Sequence, residues 1–211
     1  MRIGGFVRNS LVDWEGKVVS VIFTKGCNLR CGYCHNPSLV LPELIRKTDD
    51  ITVNEVLSNL EEQREWIDGV VVTGGEPTIH TDLSDFLGRL KALGLIIKLD
   101  TNGTNPSMLS SLTENRLVDF VAMDIKTLIE DSEYSRVTGC SDQGIAARIM
   151  ESIEVLRSSG IAHQFRTTVI PGCHTEEILR RLDSEFGSGS YIRLPFREGD
   201  NVGNYTSLSV T

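Results

Sequence analysis

The chain has 211 residues, with 21 Lys and Arg against 29 Asp and Glu, a net charge of −8 and a pI of about 5.0. That length fits one large domain, and a hydrophobic share of 40% is enough for a core. The acidic balance and the lack of a Lys/Arg-rich stretch argue against sequence-independent nucleic-acid binding, and no apolar run is long enough to cross a bilayer.

In chain order, residues 1–17 read as an N-terminal extension. Val18–Thr24 is a β-branched run expected to form a buried strand, and it ends at a cysteine loop. Thr52 and Glu55 form a capping box ahead of Val53, Val56, Leu57, Leu60 and Ile67 at helical spacing. Gly69–Thr73 is a short strand ending in Gly74-Gly75-Glu76-Pro77. The next helix carries Leu83, Phe86, Leu87, Leu90 and Leu93 on one face and stops at Gly94.

The third strand, Leu95–Leu99, ends in Asp100-Thr101-Asn102-Gly103, and Pro106 suits the first turn of a short helix. Phe120–Met123 is the fourth strand and runs into Asp124-Ile125-Lys126. A helix marked by Ile145, Ile149, Ile153 and Leu156 closes at Gly160. Phe165–Ile170 is the fifth strand, Ile178 to Phe186 mark the next helix, and Tyr191–Leu194 is the sixth strand. Six strands alternating with helices predict one α/β domain, with six β/α units over 18–196, right-handed crossovers and a tail over 197–211. The cysteines, Glu76, Asp100, Asp124 and Lys126 all fall at the C-terminal ends of strands, the edge where such folds bind ligands.

Cys27, Cys31 and Cys34 are spaced C-x3-C-x2-C. The opening Met1-Arg2-Ile3-Gly4-Gly5 lacks the apolar stretch of an export signal, so a cytoplasmic chain is expected, where cysteines tend to be metal-binding or catalytic rather than cross-linked. Structural zinc needs a second half-site, and Cys140 and Cys173 stand alone. Three thiolates can hold three irons of a cubane cluster and leave the fourth iron open for chemistry.

The cysteine loop, with Tyr33 before the last cysteine, resembles the signature of radical S-adenosylmethionine enzymes. Gly74-Gly75-Glu76-Pro77 matches their next motif. Asp100-Thr101-Asn102-Gly103, Asp124-Ile125-Lys126, Thr138-Gly139 and Val169-Ile170-Pro171-Gly172 resemble the glycyl-radical-enzyme activases. The opening Ile3-Gly4-Gly5-Phe6, the stretch Ser10 to Lys17, and Cys34-His35-Asn36-Pro37 are similar to activating proteins of anaerobic ribonucleoside-triphosphate reductase.

The resemblance implies a partial (β/α)6 barrel with a parallel sheet, a 4Fe–4S cluster on Cys27, Cys31 and Cys34, and S-adenosylmethionine on the open iron. It implies that Glu76 receives the methionine ammonium, with Gly74 and Gly75 letting backbone approach the ligand. Lys126 would face the methionine carboxylate, Asp124 the ribose, and Tyr33 the adenine. Asp100 and Asp124 could hold a monovalent cation. Arg166, if it points inward, would contact cofactor or incoming peptide. The sequence leaves open, for Asp100 and Arg166, a solvated charge instead.

The implied partners are a glycyl radical enzyme and a flavodoxin or ferredoxin as electron donor. Arg197 departs from the pyruvate formate-lyase activases, which carry His at that point. The competing readings are a pyruvate formate-lyase-type activase, a small-molecule radical enzyme similar to 7-carboxy-7-deazaguanine synthase, and a zinc-bearing interaction module.

Overall fold

The computed structural model describes residues 1–187 and 189–203; of the expected tail, residues 204–211 lie outside them. Seven strands form one sheet in sequential order. They are β1 (Ile3–Ser10), β2 (Val19–Thr24), β3 (Gly69–Gly74), β4 (Ile96–Thr101), β5 (Phe120–Asp124), β6 (Ala162–Val169) and β7 (Tyr191–Pro195). Strands β2 to β7 are parallel, as the alternating pattern predicts. The eight α-helices of the described residues are α1 (Pro37–Val40), α2 (Pro42–Ile45), α3 (Val53–Gln63), α4 (Leu83–Ala92), α5 (Pro106–Glu114), α6 (Asp131–Thr138), α7 (Ile145–Ser159) and α8 (Glu176–Phe186).

Local chemistry explains the boundaries. Thr52 and Glu55 cap α3 reciprocally. Pro106 opens α5, and Gly160 ends α7 in the left-handed region at φ 69°. Along each strand the side chains alternate between two faces. Ile22, Val70, Val72, Ile97, Leu99, Val121, Met123 and Phe165 join the main core with the helices. Val19, Val21 and Val71 pack on the opposite, concave face with Trp14 and Phe23.

Three differences from the sequence expectation concern segments without a clear period. The first 17 residues are not only an extension: β1 pairs antiparallel with β2 and edges the sheet. Its sequence IGGFVRNS carries two glycines and buries only Ile3 and Ser10, so no alternation announces it. Helix α6 is polar (DSEYSRVT) and buries only Tyr134, Val137 and Thr138. Strand β6 also begins earlier than Phe165, because His163 and Gln164 mask its start.

The loop after β1 turns inward. The Trp14 ring lies 5.9 Å from that of Phe120, with the Lys17 ammonium 5.6 Å over it. The Lys98 ammonium, on β4, donates to the Asp13 carbonyl at 2.5 Å. This loop floors the concave face at the N-terminal end of the parallel strands.

Lys25, at the end of β2, is buried. Its ammonium donates to the Thr48 and Asp49 carbonyls at 2.8 and 2.7 Å and to Asp50 at 2.7 Å. Removing one partner of such a cluster leaves the others desolvated and unmet. Lys25→Met is expected to lower unfolding free energy by about 3 kcal/mol in urea denaturation. A change under about 0.5 kcal/mol would show that the ammonium is not needed there.

Candidate active site

All eleven residues singled out in the sequence line one cavity of about 210 Å³: Cys27, Cys31, Tyr33, Cys34, Gly74, Gly75, Glu76, Asp100, Asp124, Lys126 and Arg166. The cavity opens at the C-terminal ends of the parallel strands, as α/β folds require.

The cysteine loop is held from several sides by backbone bonds. Glu76 N–H donates to the Gly26 carbonyl at 2.7 Å, and Gly75 N–H to that of Thr24 at 2.9 Å. Arg30 N–H donates to the Thr138 carbonyl at 2.8 Å. Val202 and Gly203 N–H groups reach the Cys34 and Gly32 carbonyls at 3.0 and 2.7 Å. The Arg30 guanidinium adds bonds to the Cys27 and Leu29 carbonyls. These contacts give the Gly-rich and Thr-Gly motifs a use within the chain. A Cβ at Gly75 would sit 1.9 Å from the Gly26 oxygen, and one at Gly74, whose φ is 118°, 2.3 Å from the Thr24 nitrogen. The close approach made possible by both glycines is therefore to the strand that carries the cysteine loop.

Glu76 lines the cavity and also makes bonds within the chain that the sequence does not announce. It is 1% exposed. One carboxylate oxygen accepts from Thr78 N–H, the Thr78 hydroxyl and the Thr101 hydroxyl at 3.0, 2.6 and 2.7 Å, and the other from Asn102 N–H at 2.6 Å. Burial pushes its pKa up, against these donors, which favour the charged form. The side chain thus fastens the loop after β3 to the turn after β4. Asn102, read as a turn residue, sends its amide to Asn28 at 3.0 Å and toward the Cys27 sulfur at 3.9 Å.

Asp100, Asp124, Lys126 and Arg166 are not solvated strand ends. The Arg166 guanidinium points inward and bridges Asp124 at 2.9 Å and Asp100 at 3.4 Å. Lys126 pairs with Asp124 at 2.9 Å and Lys98 with Asp100 at 3.4 Å. Burial alone would raise the Asp124 pKa; Lys126 and Arg166 outweigh it and hold it at about 2. Burial opposes charge on Lys126 and Arg166, yet their carboxylate partners raise both pKa values. A monovalent cation at Asp100 and Asp124 would have to enter between carboxylates already paired with these three cations.

Two positions carry signals that the sequence reading passed over. Lys98 lies two residues before Asp100 on the same strand face, a lysine in an apolar strand. His174 is buried, not a surface residue. Its Nδ1 accepts from Ile170 N–H at 2.9 Å, and its Nε2–H donates to the Lys126 carbonyl at 2.8 Å. Lys126 N–H goes to the Tyr134 hydroxyl. Arg197 lies outside the cavity lining; its carbonyl meets His35, whose ring stacks on Phe196. Cys140 and Cys173 pack against the core.

The three cysteines of the loop line the cavity together and suit a cubane cluster. Among the described residues, no three His, Cys, Asp or Glu side chains converge on one ion. A cubane binds each thiolate at a different iron, so its sulfurs stand farther apart than the ligands of one zinc. Burial raises the metal-free Cys27 thiol to about 12, and raises Cys31 too, so metal binding must displace their protons. Leu29 N–H points at the Cys27 sulfur from 3.4 Å, a bond of the kind that tunes such clusters.

Sheet and site together define a radical S-adenosylmethionine enzyme. The model of the Radical SAM superfamily matches residues 21–183, and the chain belongs to that family. It is 33% identical over 178 residues to a Methanocaldococcus jannaschii protein assigned as a glycyl-radical enzyme activating enzyme, covering 83% of this chain and 71% of that one. It is 28% identical over 187 residues to the pyruvate formate-lyase-activating enzyme of Clostridium pasteurianum, covering 86% and 74%. Within the family the chain groups with these activases.

The crystal structure of Streptococcus suis SuiB bound to S-adenosylmethionine matches with a TM-score of 0.62 at 15% identity, over 88% of this chain and 44% of that one, and shows the shared fold. The cofactors are those of the family, a 4Fe–4S cluster and S-adenosylmethionine. No helix of the described residues is long and apolar enough to cross a membrane.

Two outcomes test the site as built. Glu76→Gln places an amide against backbone donors. It is expected to cost about 2 kcal/mol and to lower iron retention and S-adenosylmethionine binding together. Loss of binding with iron and stability intact would return Glu76 to direct ligation. For His174, burial depresses the folded pKa below the ordinary 6.5. The unfolded chain therefore takes up the proton first, and stability is full above about pH 6.5 and falls below it. The slope of unfolding free energy between about pH 6.5 and 5 is expected to be shallower in His174→Gln; an unchanged slope contradicts the assignment.

Proposed function

We propose that this activase generates the glycyl radical of anaerobic ribonucleoside-triphosphate reductase. The reading is carried by the N-terminal segment. Ser10 to Lys17, the stretch most similar to activating proteins of that reductase, forms the floor of the concave face, where Asp13 and Trp14 meet Lys98 and Phe120. It is part of the cavity's support, so its likeness bears on the site.

Cys27, Cys31 and Cys34 would hold three irons and leave the fourth for the amino and carboxylate groups of S-adenosylmethionine. When bound and reduced by one electron, the cluster supplies cleavage of the sulfonium to methionine and a 5′-deoxyadenosyl radical, which takes a hydrogen atom from a glycine Cα. The chain's own residues bind and orient. Lys126, fixed by Asp124, Tyr134 and His174, offers the ammonium for the methionine carboxylate. Tyr33, buried beside Cys31, offers a ring face for the adenine, and Asp124 an acceptor toward the ribose. Glu76 positions the loops. The electron comes from a flavodoxin or ferredoxin.

The pyruvate formate-lyase-type reading keeps the same chemistry and changes the partner. Anaerobic reconstitution and reduction, with S-adenosylmethionine and each candidate partner in turn, is expected to give a glycyl doublet in the electron paramagnetic resonance spectrum of the reductase. A doublet on pyruvate formate-lyase alone would assign the other partner. Replacing any one of Cys27, Cys31 or Cys34 by Ala is expected to abolish cleavage. Cys140→Ser and Cys173→Ser are expected to leave iron content unchanged.

A further inference from the structure

Lys98 sits in β4 among apolar neighbours, 8% exposed, in register with Phe120 on β5. A buried ammonium needs partners, and this one has two. It donates to the Asp13 carbonyl at 2.5 Å and stands 3.4 Å from Asp100 Oδ1. That oxygen is buried and accepts no hydrogen bond, so Lys98 is its charge partner.

From there the charges alternate toward the rim. Asp100 meets Arg166, Arg166 meets Asp124, and Asp124 meets Lys126. Three cations face two carboxylates along one wall, leaving a single net positive charge. A single carboxylate is the complement of that charge.

We propose that Lys98 is a positioning residue for the methionine carboxylate. It balances the Asp100 carboxylate, so that the wall keeps the single positive charge that Arg166 and Lys126 present toward the methionine carboxylate. Lys98 does not touch the cofactor; it acts through Asp100. Through the Asp13 carbonyl, the N-terminal loop becomes part of the same device. The inference rests on the S-adenosylmethionine reading above.

The test is a charge-compensation cycle read as binding, not activity. Equilibrium dialysis of labelled S-adenosylmethionine against anaerobically reconstituted, unreduced protein measures Kd for wild type, Lys98→Met, Asp100→Asn and the double variant. A unit charge about 10 Å away at an effective dielectric of about 20 changes binding on the order of ten-fold. Lys98→Met, which makes the wall neutral, is expected to weaken binding by about that factor. Asp100→Asn, which leaves the wall doubly positive, is expected to bind at least as tightly as wild type. The double variant restores the single charge and is expected within about two-fold of wild type.

A lysine that only fills space in the strand would not be rescued by removing its charge partner, and one that only keeps the fold neutral would move the urea-unfolding free energy and leave Kd unchanged. Loss persisting in the double variant, or an unchanged Kd in Lys98→Met, overturns the proposal. If Lys98→Met does not fold, Asp100→Asn and the double variant decide it alone: weakened binding in either contradicts the charge count. Wild-type protein that binds no S-adenosylmethionine would overturn the cofactor reading, and the inference with it.

Discussion

The Glu76 carboxylate is the fastening on which the rest of the site depends. Four donors from Thr78, Thr101 and Asn102 converge on it inside the protein. A buried carboxylate is costly unless met in this way, and once met it resists rearrangement. Through it the turn after β4 is tied to the loop after β3. That loop is in turn stitched to the start of the cysteine loop by Gly75 and Glu76 N–H groups. Three loops from three adjacent strands are thus tied together. The glycines at 74 and 75 follow from this, because any side chain there would occupy the space of the neighbouring strand's backbone.

The sheet then divides the work by face. Its convex side is apolar and carries the helices, so it supplies most of the hydrophobic stabilisation. Its concave side is apolar only at the bottom, where Val19, Val21 and Val71 meet Trp14. Above that floor the wall becomes ionic, from Lys98 to Lys126. Such a wall is a weak source of stability, since desolvation offsets most of the pairing. Its value is a fixed charge at a fixed place, which suits a site that must hold a zwitterionic ligand against a cluster. With the Asp124 pKa held at about 2 and that of Lys126 raised, this pair keeps its charges throughout the physiological range.

Much of this was legible in the sequence, for reasons that differ by residue. Six parallel strands could be read because each is a short β-branched run followed by polar punctuation, and Cys27, Glu76, Asp100 and Asp124 fall in that punctuation. The cysteine spacing carried the metal chemistry. What was hidden depends on tertiary partners. Strand β1 has no alternation because only two of its residues are buried. That the Glu76 carboxylate also ties two loops together could not be seen, since two of its four donors, from Thr101 and Asn102, come from another strand's turn. The inward course of Trp14 and the pairing of Lys98 with Asp100 likewise need the curved sheet. Period-2 spacing from Asp100 was the one signal that pointed to Lys98.

The bonds of Glu76, Gly75 and Asn102 bind the loops around the cavity to one another, and this fastening belongs to the chain itself. Amide hydrogen exchange of the iron-free protein tests it most directly. Slow exchange is predicted for the N–H groups of Gly75, Glu76 and Asn102, comparable to the core of β3 and β4, because each is paired with a partner on a neighbouring loop or strand end. Rapid exchange at these amides in iron-free protein, slowing only on reconstitution, would show that the cluster builds the site and would contradict the account.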